Sequence, residues 1–165
     1  MNIISQSLRF RYFRIVSSVM ANTIITGEKI ITYIDKNYKN NIKAGDVIIY
    51  RFRDKLLVSR CIALENDRIR IQDDNVYIND SLINEFHKNL DQKQLELTNR
   101  YNLEKLDYNL PETIIEKNKI FLLGDNRYNS NDSRYIGQLS REVIVGKVLY
   151  IHFSKNINRI GKIIE

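Results

Sequence analysis

The chain has 165 residues, with Lys+Arg 26 against Asp+Glu 20 and a formal net charge of +6. Apolar residues at 43% and charged residues at 28% exclude a wholly disordered or fibrous chain, and one cysteine excludes an internal disulfide scaffold. No apolar run approaches the roughly 20 residues that span a bilayer as a helix. The length suits a single domain over residues 1–165, and neither a repeat nor a Gly/Ser linker divides it.

The first notable segment is basic and aromatic: Arg9, Phe10, Arg11, Tyr12, Phe13 and Arg14. Such a stretch lies at a membrane surface or forms an ordinary solvated strand or turn. Three β-rich runs follow, at residues 29–34, 46–53 and 56–62, in which β-branched and aromatic residues favour strands. Asp54-Lys55 is placed to turn a hairpin between the last two. Residues 68–71 alternate apolar and polar and pair through Asp73-Asp74-Asn75 with Val76-Tyr77-Ile78 as a second hairpin. Residues 81–110 then turn polar, with Phe86 and Leu90 at helical spacing, and read as a variable, partly helical insertion. β character returns at 119–123 and 143–151. The expectation is a mainly β fold, a folded sheet or partly closed β-barrel with a small, partly helical elaboration.

The most specific segment runs from Gly124 to Gly137, GDNRYNSNDSRYIG. As chemistry it is a turn after a buried strand, with Asp132 and Arg134 close enough to pair and Ser130 and Ser133 able to fix backbone groups. Its order, GDNRxNSxDSRxxG, resembles the C-terminal signature of type I signal peptidases, membrane-bound serine proteases of peptidase family S26. Other segments resemble family blocks in the same order. Residues 15–28, IVSSVMANTIITGE, are similar to IPSxSMxPTLxxGD, and Gly45-Asp46-Val47-Ile48 to GDxV. Residues 57–64, LVSRCIAL, are similar to the strand VKRVIGLPGD, and residues 76–80, VYIND, to the family hairpin. The resemblance covers Phe13 to about Phe153, apart from the 81–110 insertion.

The departures decide what that resemblance implies. The family nucleophile is the serine before the conserved Met, and Val19 stands there. The family general base is a lysine before Arg, and Ser59 stands there. A valine cannot attack a carbonyl, and a lone hydroxyl is a poor proton acceptor at neutral pH. Ser17 matches the oxyanion-hole hydroxyl, Ser130 the serine that orients the lysine, and Asp132 with Arg134 a supporting pair; Met20 is retained. Ser18 neighbours Val19, but in an extended segment its hydroxyl aims to the other side. Lys55 at a hairpin turn is solvated and protonated, His87 and His152 read as incidental, and Cys61 as a small buried apolar residue.

The resemblance with these departures therefore implies a pseudoenzyme that binds an extended polypeptide by strand addition. Non-catalytic proteins of this kind occur in gene clusters for covalently assembled pili of Gram-positive bacteria. That implies a pilin or sortase-type partner, and a place at the extracytoplasmic face of the membrane, anchored by a helix outside this chain. Residues 1–14 are then the membrane-proximal segment. No cofactor, metal or nucleic acid is expected. The alternatives are an active signal peptidase with a relocated nucleophile or base, and a LexA-like regulatory domain, which the GDNRxNSxDSR box disfavours.

Overall fold

The computed structural model describes residues 9–21, 23–35, 37–73, 75–83 and 108–165. Most of the strands lie where β-branched and aromatic residues cluster, because such side chains pack well on a pleated, half-buried surface. Seven of them make one antiparallel sheet: β1 Phe10–Arg14, β2 Lys29–Tyr33, β3 Val47–Phe52, β4 Lys55–Leu64, β9 Lys119–Leu123, β10 Leu139–Ser140 and β11 Ile144–Phe153. Their order across the sheet is β1-β2-β11-β3-β4-β9-β10. The other four, β5 Arg68–Gln72, β6 Asn75–Ile78, β7 Ser81–Leu82 and β8 Leu110–Ile114, form a second antiparallel sheet in the order β7-β6-β5-β8. The fold is mainly β, as expected. The larger sheet ends at β1 on one side and β10 on the other, so the described residues form an open, folded sheet, not a closed barrel.

Three apolar clusters hold the sheets. Ile15, Met20, Ile24, Ile30, Val47, Ile49, Val58, Val148, Ile151 and Ile164 pack on one face. Ile48, Tyr50, Cys61, Ile120 and Leu122 pack on the other, with Ile42. Alternation along β3 sends Val47 and Ile49 one way and Ile48 and Tyr50 the other, as a two-residue period requires. The second sheet covers Ile62, Ala63, Phe121 and Leu123 with Ile69, Ile71 and Val76.

Two expectations need correction. The β3–β4 loop is Arg53-Asp54, since Phe52 already pairs with Lys55. Arg53 takes φ +53°, the left-handed conformation that closes so tight a hairpin. The 81–110 insertion is strand at both ends, β7 pairing with β6 and β8 with β5. Pro111 suits β8 because that strand is a sheet edge, where a missing N–H breaks no ladder. The helical expectation for its interior, and His87 with it, lies outside the described residues. Phe10–Arg14 takes the strand reading left open for it: it is β1, in register with β2 from Phe10↔Tyr33 to Arg14↔Lys29. Phe13 packs on the core, whereas Phe10 and Tyr12 are exposed.

Candidate active site

The chain from Ile15 to Glu28 leaves β1 and returns to β2 as a closed loop. Ile15 N–H donates to Glu28 O at 2.9 Å and Gly27 N–H to Ile15 O at 2.7 Å. Gly27 has φ +95°, which an L side chain would strain. Within the loop the backbone turns: Ala21 N–H donates to Ser18 O, and both Thr23 and Ile24 N–H to Met20 O. Ser18 and Val19 therefore sit on a turn rather than an extended segment, which corrects the expectation for Ser18. The Ser18 hydroxyl accepts from the Asn129 side-chain amide at 2.6 Å, and Ser18 O accepts from Asn126 Nδ2 at 3.0 Å. Ser17 is exposed, and its carbonyl accepts from the Thr26 hydroxyl at 2.9 Å.

The Gly124–Gly137 box packs against this turn. Asn126 N–H donates to Val19 O at 2.8 Å, and Asp125 N–H points at the Met20 sulfur at 3.4 Å. Asp132, fully buried, accepts from Gly124 N–H at 3.0 Å and from Arg134 Nε at 2.8 Å. It also caps the helical turn Ser133–Ile136 by accepting from Arg134 N–H. The Arg134 guanidinium continues to Arg127 O and lies beside the Tyr108 and Tyr135 rings, with centroids at 5.8 and 5.5 Å. Ser133 holds the end of β9 by accepting from Leu122 N–H at 2.9 Å. The expected Asp132–Arg134 pair is present, and its work is to fold the box onto the end of β9.

The register brings the remaining predicted residues together. β4 and β9 pair Arg60 with Leu123, so one residue further on Ser59 faces Gly124. Cross-strand partners point to the same side with Cβ positions about 5 Å apart. A Cβ built on Gly124 would lie 2.8 Å from Val19 Cγ1 and 2.7 Å from Ser130 Cβ, with Ser130 Oγ closer still. Val19 and Ser130 thus meet over the space that Gly124 leaves open, and Ser59 lies on the neighbouring strand next to the Arg60–Leu123 pair. Their chemistry is quiet. Ser59, 1% exposed, donates to Val58 O at 2.8 Å and has the Tyr50 hydroxyl at 3.5 Å. Burial, reinforced by the Asp132 charge, pushes the Tyr50 phenol above its ordinary pKa despite the Ser59 contact. The Ser130 hydroxyl is buried without a hydrogen-bond partner. Such an orphan costs about 1–3 kcal/mol.

Residues the sequence had not singled out hold the site from below. Arg60 forks onto Asp125, Nε to Oδ1 at 2.9 Å and Nη2 to Oδ2 at 2.8 Å, both side chains about 2–3% exposed. Thr23 Oγ1 donates to the same carboxylate, and Arg60 Nη1 donates to Gly45 O and Glu165 O. A charged residue inside the otherwise apolar LVSRCIAL strand is the sequence signal for such a pair, because arginine is rarely fully buried alone. Nearby, burial alone would raise the Glu28 pKa. Hydrogen bonds from Arg159, Ile25 N–H and Ser154 outweigh it and hold the carboxyl below the usual range. Asp46 is likewise lowered against its burial, by Lys147, Tyr38 and Lys43 N–H.

A depressed folded-state pKa contributes stability that is present above the unfolded value, about 4, and is lost as pH falls through the lower folded value. Unfolding free energy from urea titrations should therefore fall below about pH 4. Glu28→Gln should flatten that fall, and an unchanged acid slope would contradict the role given to Glu28.

Other predicted residues lie apart from this cluster. Cys61 is fully buried against Ile48 and Leu122, and burial pushes its thiol pKa up, so it is inert at neutral pH. Lys55 is exposed at the hairpin. His152 lies in β11 with its ring edge-on to Tyr12 at 5.0 Å. Among the described residues, no group of three His, Cys, Asp or Glu side chains could hold a metal, and no helix is long and apolar enough to cross a membrane.

Residues 1–153 match the signal peptidase family, peptidase S26, and the chain belongs to that family. It is similar to signal peptidase I of Bacillus licheniformis, 27% identical over 150 residues covering 89% of this chain and 78% of that protein. Signal peptidase IB of Staphylococcus aureus is 29% identical over 143 residues, covering 84% and 75%. A crystal structure of a signal peptidase I from Enterococcus faecalis superposes with a TM-score of 0.48 at 24% identity, over 64% of this chain and 95% of that one.

Proposed function

We propose that this signal peptidase family protein does not cleave, and that it binds an extended polypeptide at its preserved site. The observation that carries this is the buried Ser130 hydroxyl without a hydrogen-bond partner, which meets the Val19 methyl group, not a reacting group, over Gly124. Acyl transfer by a serine peptidase needs an oxygen nucleophile and a base within hydrogen-bond reach of it. Here the nucleophile position holds a methyl group, and the base position holds a hydroxyl bonded to its own strand. Ser18 does not fill the gap: its partner is an amide, which cannot take a proton.

The polypeptide is proposed to be a pilin or sortase-type protein, and the role to be assistance in pilus assembly at the extracytoplasmic face of the membrane. The basic-aromatic strand β1, with Phe10 and Tyr12 outward among Arg9, Arg11 and Arg14, supports contact with an anionic bilayer on that side. The test is incubation of the purified protein with a preprotein in detergent, alongside co-precipitation with pilin and sortase. The expected result is intact preprotein and a co-precipitated complex. Cleavage at an Ala-x-Ala site, abolished by Ser18→Ala, would establish instead an active peptidase with a relocated nucleophile.

A further inference from the structure

Residues 154–165 follow the last residue matched to the family and fold back as a strap along β11. Gly161 N–H donates to Ile151 O at 2.8 Å, Ile151 N–H to Lys162 O at 3.0 Å and Ile164 N–H to Leu149 O at 2.8 Å. Ile164 is buried in the cluster that contains Met20 and Ile24. The strap thus grips the site at two points. At its end, Glu165 O accepts from Arg60, the partner of Asp125. Nearer its start, Arg159 Nε donates to Glu28 Oε1 at 2.7 Å, and Arg159 Nη2 to Thr23 O at 2.8 Å and Glu28 Oε2 at 3.2 Å.

We infer that Arg159 is a positioning residue of the candidate site, acting through Thr23 and Glu28 on the turn that carries Val19. One guanidinium spans both ends of the Thr23–Glu28 segment, and Glu28 Oε2 also accepts Ile25 N–H at 2.8 Å, so the segment is held at three places. From Thr23 the hold passes to Asp125 through its hydroxyl, and from Asp125 N–H to the Met20 sulfur beside Val19. A planar, always charged fork suits this bridging task, whereas a lysine offers one point charge. The consequence for polypeptide binding rests on the proposed function: a wall ordered beforehand loses less entropy when a chain docks against it.

The test is amide hydrogen exchange on the full chain carrying Arg159→Ala, with Glu28→Gln as the second variant should the first fail to fold. The amides of Thr23, Ile24, Gly27 and Asn126 should exchange at least roughly tenfold faster, with those of β5 and β6 unchanged. Arg159→Lys should restore part of the protection. Acceleration spread evenly over both sheets would reduce Arg159 to a general stabiliser, and unchanged exchange in the turn would overturn the inference. Affinity for purified pilin, the polypeptide of the proposed function, measured on the same proteins, should weaken in parallel. Exchange needs no ligand, so a loosened turn in a protein that binds no peptide would uphold the role of Arg159 and count against the proposed function alone.

Discussion

Arg60→Met should lower the stability of the protein by about 3–5 kcal/mol, the cost of leaving a buried carboxylate without its partner. Arg60 and Asp125 are each about 2% exposed, so water cannot replace the lost contacts. Hydrogen bonds from Arg60 to Asp125 (two), to Gly45 O and to Glu165 O are lost together. For a chain of this size each kcal/mol is worth roughly 2–4 °C of melting temperature, so a fall of about 10 °C is expected. The companion variant, Arg60→Met with Asp125→Asn, removes the stranded charge and should recover a good part of the loss. Urea and thermal unfolding of the three proteins measure both steps. A loss below about 1 kcal/mol in Arg60→Met would be that of an exposed ion pair, and would contradict the buried one described above.

Val19→Ser together with Ser59→Lys should create cleavage of a preprotein at an Ala-x-Ala site. Each change alone should not. In a catalytic unit, loss of one member costs on the order of a millionfold in turnover, so only the pair can register. The geometry favours both replacements. A Cβ on Gly124 would lie 2.8 Å from Val19 Cγ1 and closer still to Ser130 Oγ, and position 59 is next to Arg60, which pairs with Leu123 just before Gly124. Ser130 would then gain the partner it lacks. Desolvation lowers the pKa of a buried lysine, and only its neutral form accepts a proton. Activity of the double variant should therefore rise with pH through that lowered pKa and level off above it. No activity at any pH would mean that the space around Tyr50 and Ser59 has closed beyond the two substitutions, with the Tyr50 hydroxyl only 3.5 Å from Ser59 the first obstacle.

A large part of this protein is legible in its chain of residues. The β runs at 29–34, 46–53, 56–62 and 119–123 announce strands because β-branched and aromatic side chains crowd a helix and fit a pleat, and the structure has strands there. The order of GDNRxNSxDSR and the blocks before it declares the family, and the matched residues 1–153 bear that out. The absence of an oxygen at Val19 and of an amine at Ser59 is a covalent fact, independent of any fold.

What only the tertiary structure decided is where these groups meet. Local sequence cannot tell that Phe10–Arg14 pairs with Lys29–Tyr33, because edge strands carry charge and their pairing depends on a partner fifteen or more residues away. Nor can it show that Ser18 and Val19 lie on a turn, since the hydrogen bonds that shape that turn include one from Asn126, more than 100 residues later. Arg159 is legible only as one more charge until its guanidinium is seen across Thr23 and Glu28, 131 residues from the latter in sequence. Long-range contacts of this kind follow from the register of sheets and the closing of loops, which no neighbouring residue encodes. The covalent chain thus determined that position 19 carries a valine and position 59 a serine; the folded one decided that Val19 and Ser130 meet over Gly124, and that Arg159 reaches Thr23 and Glu28.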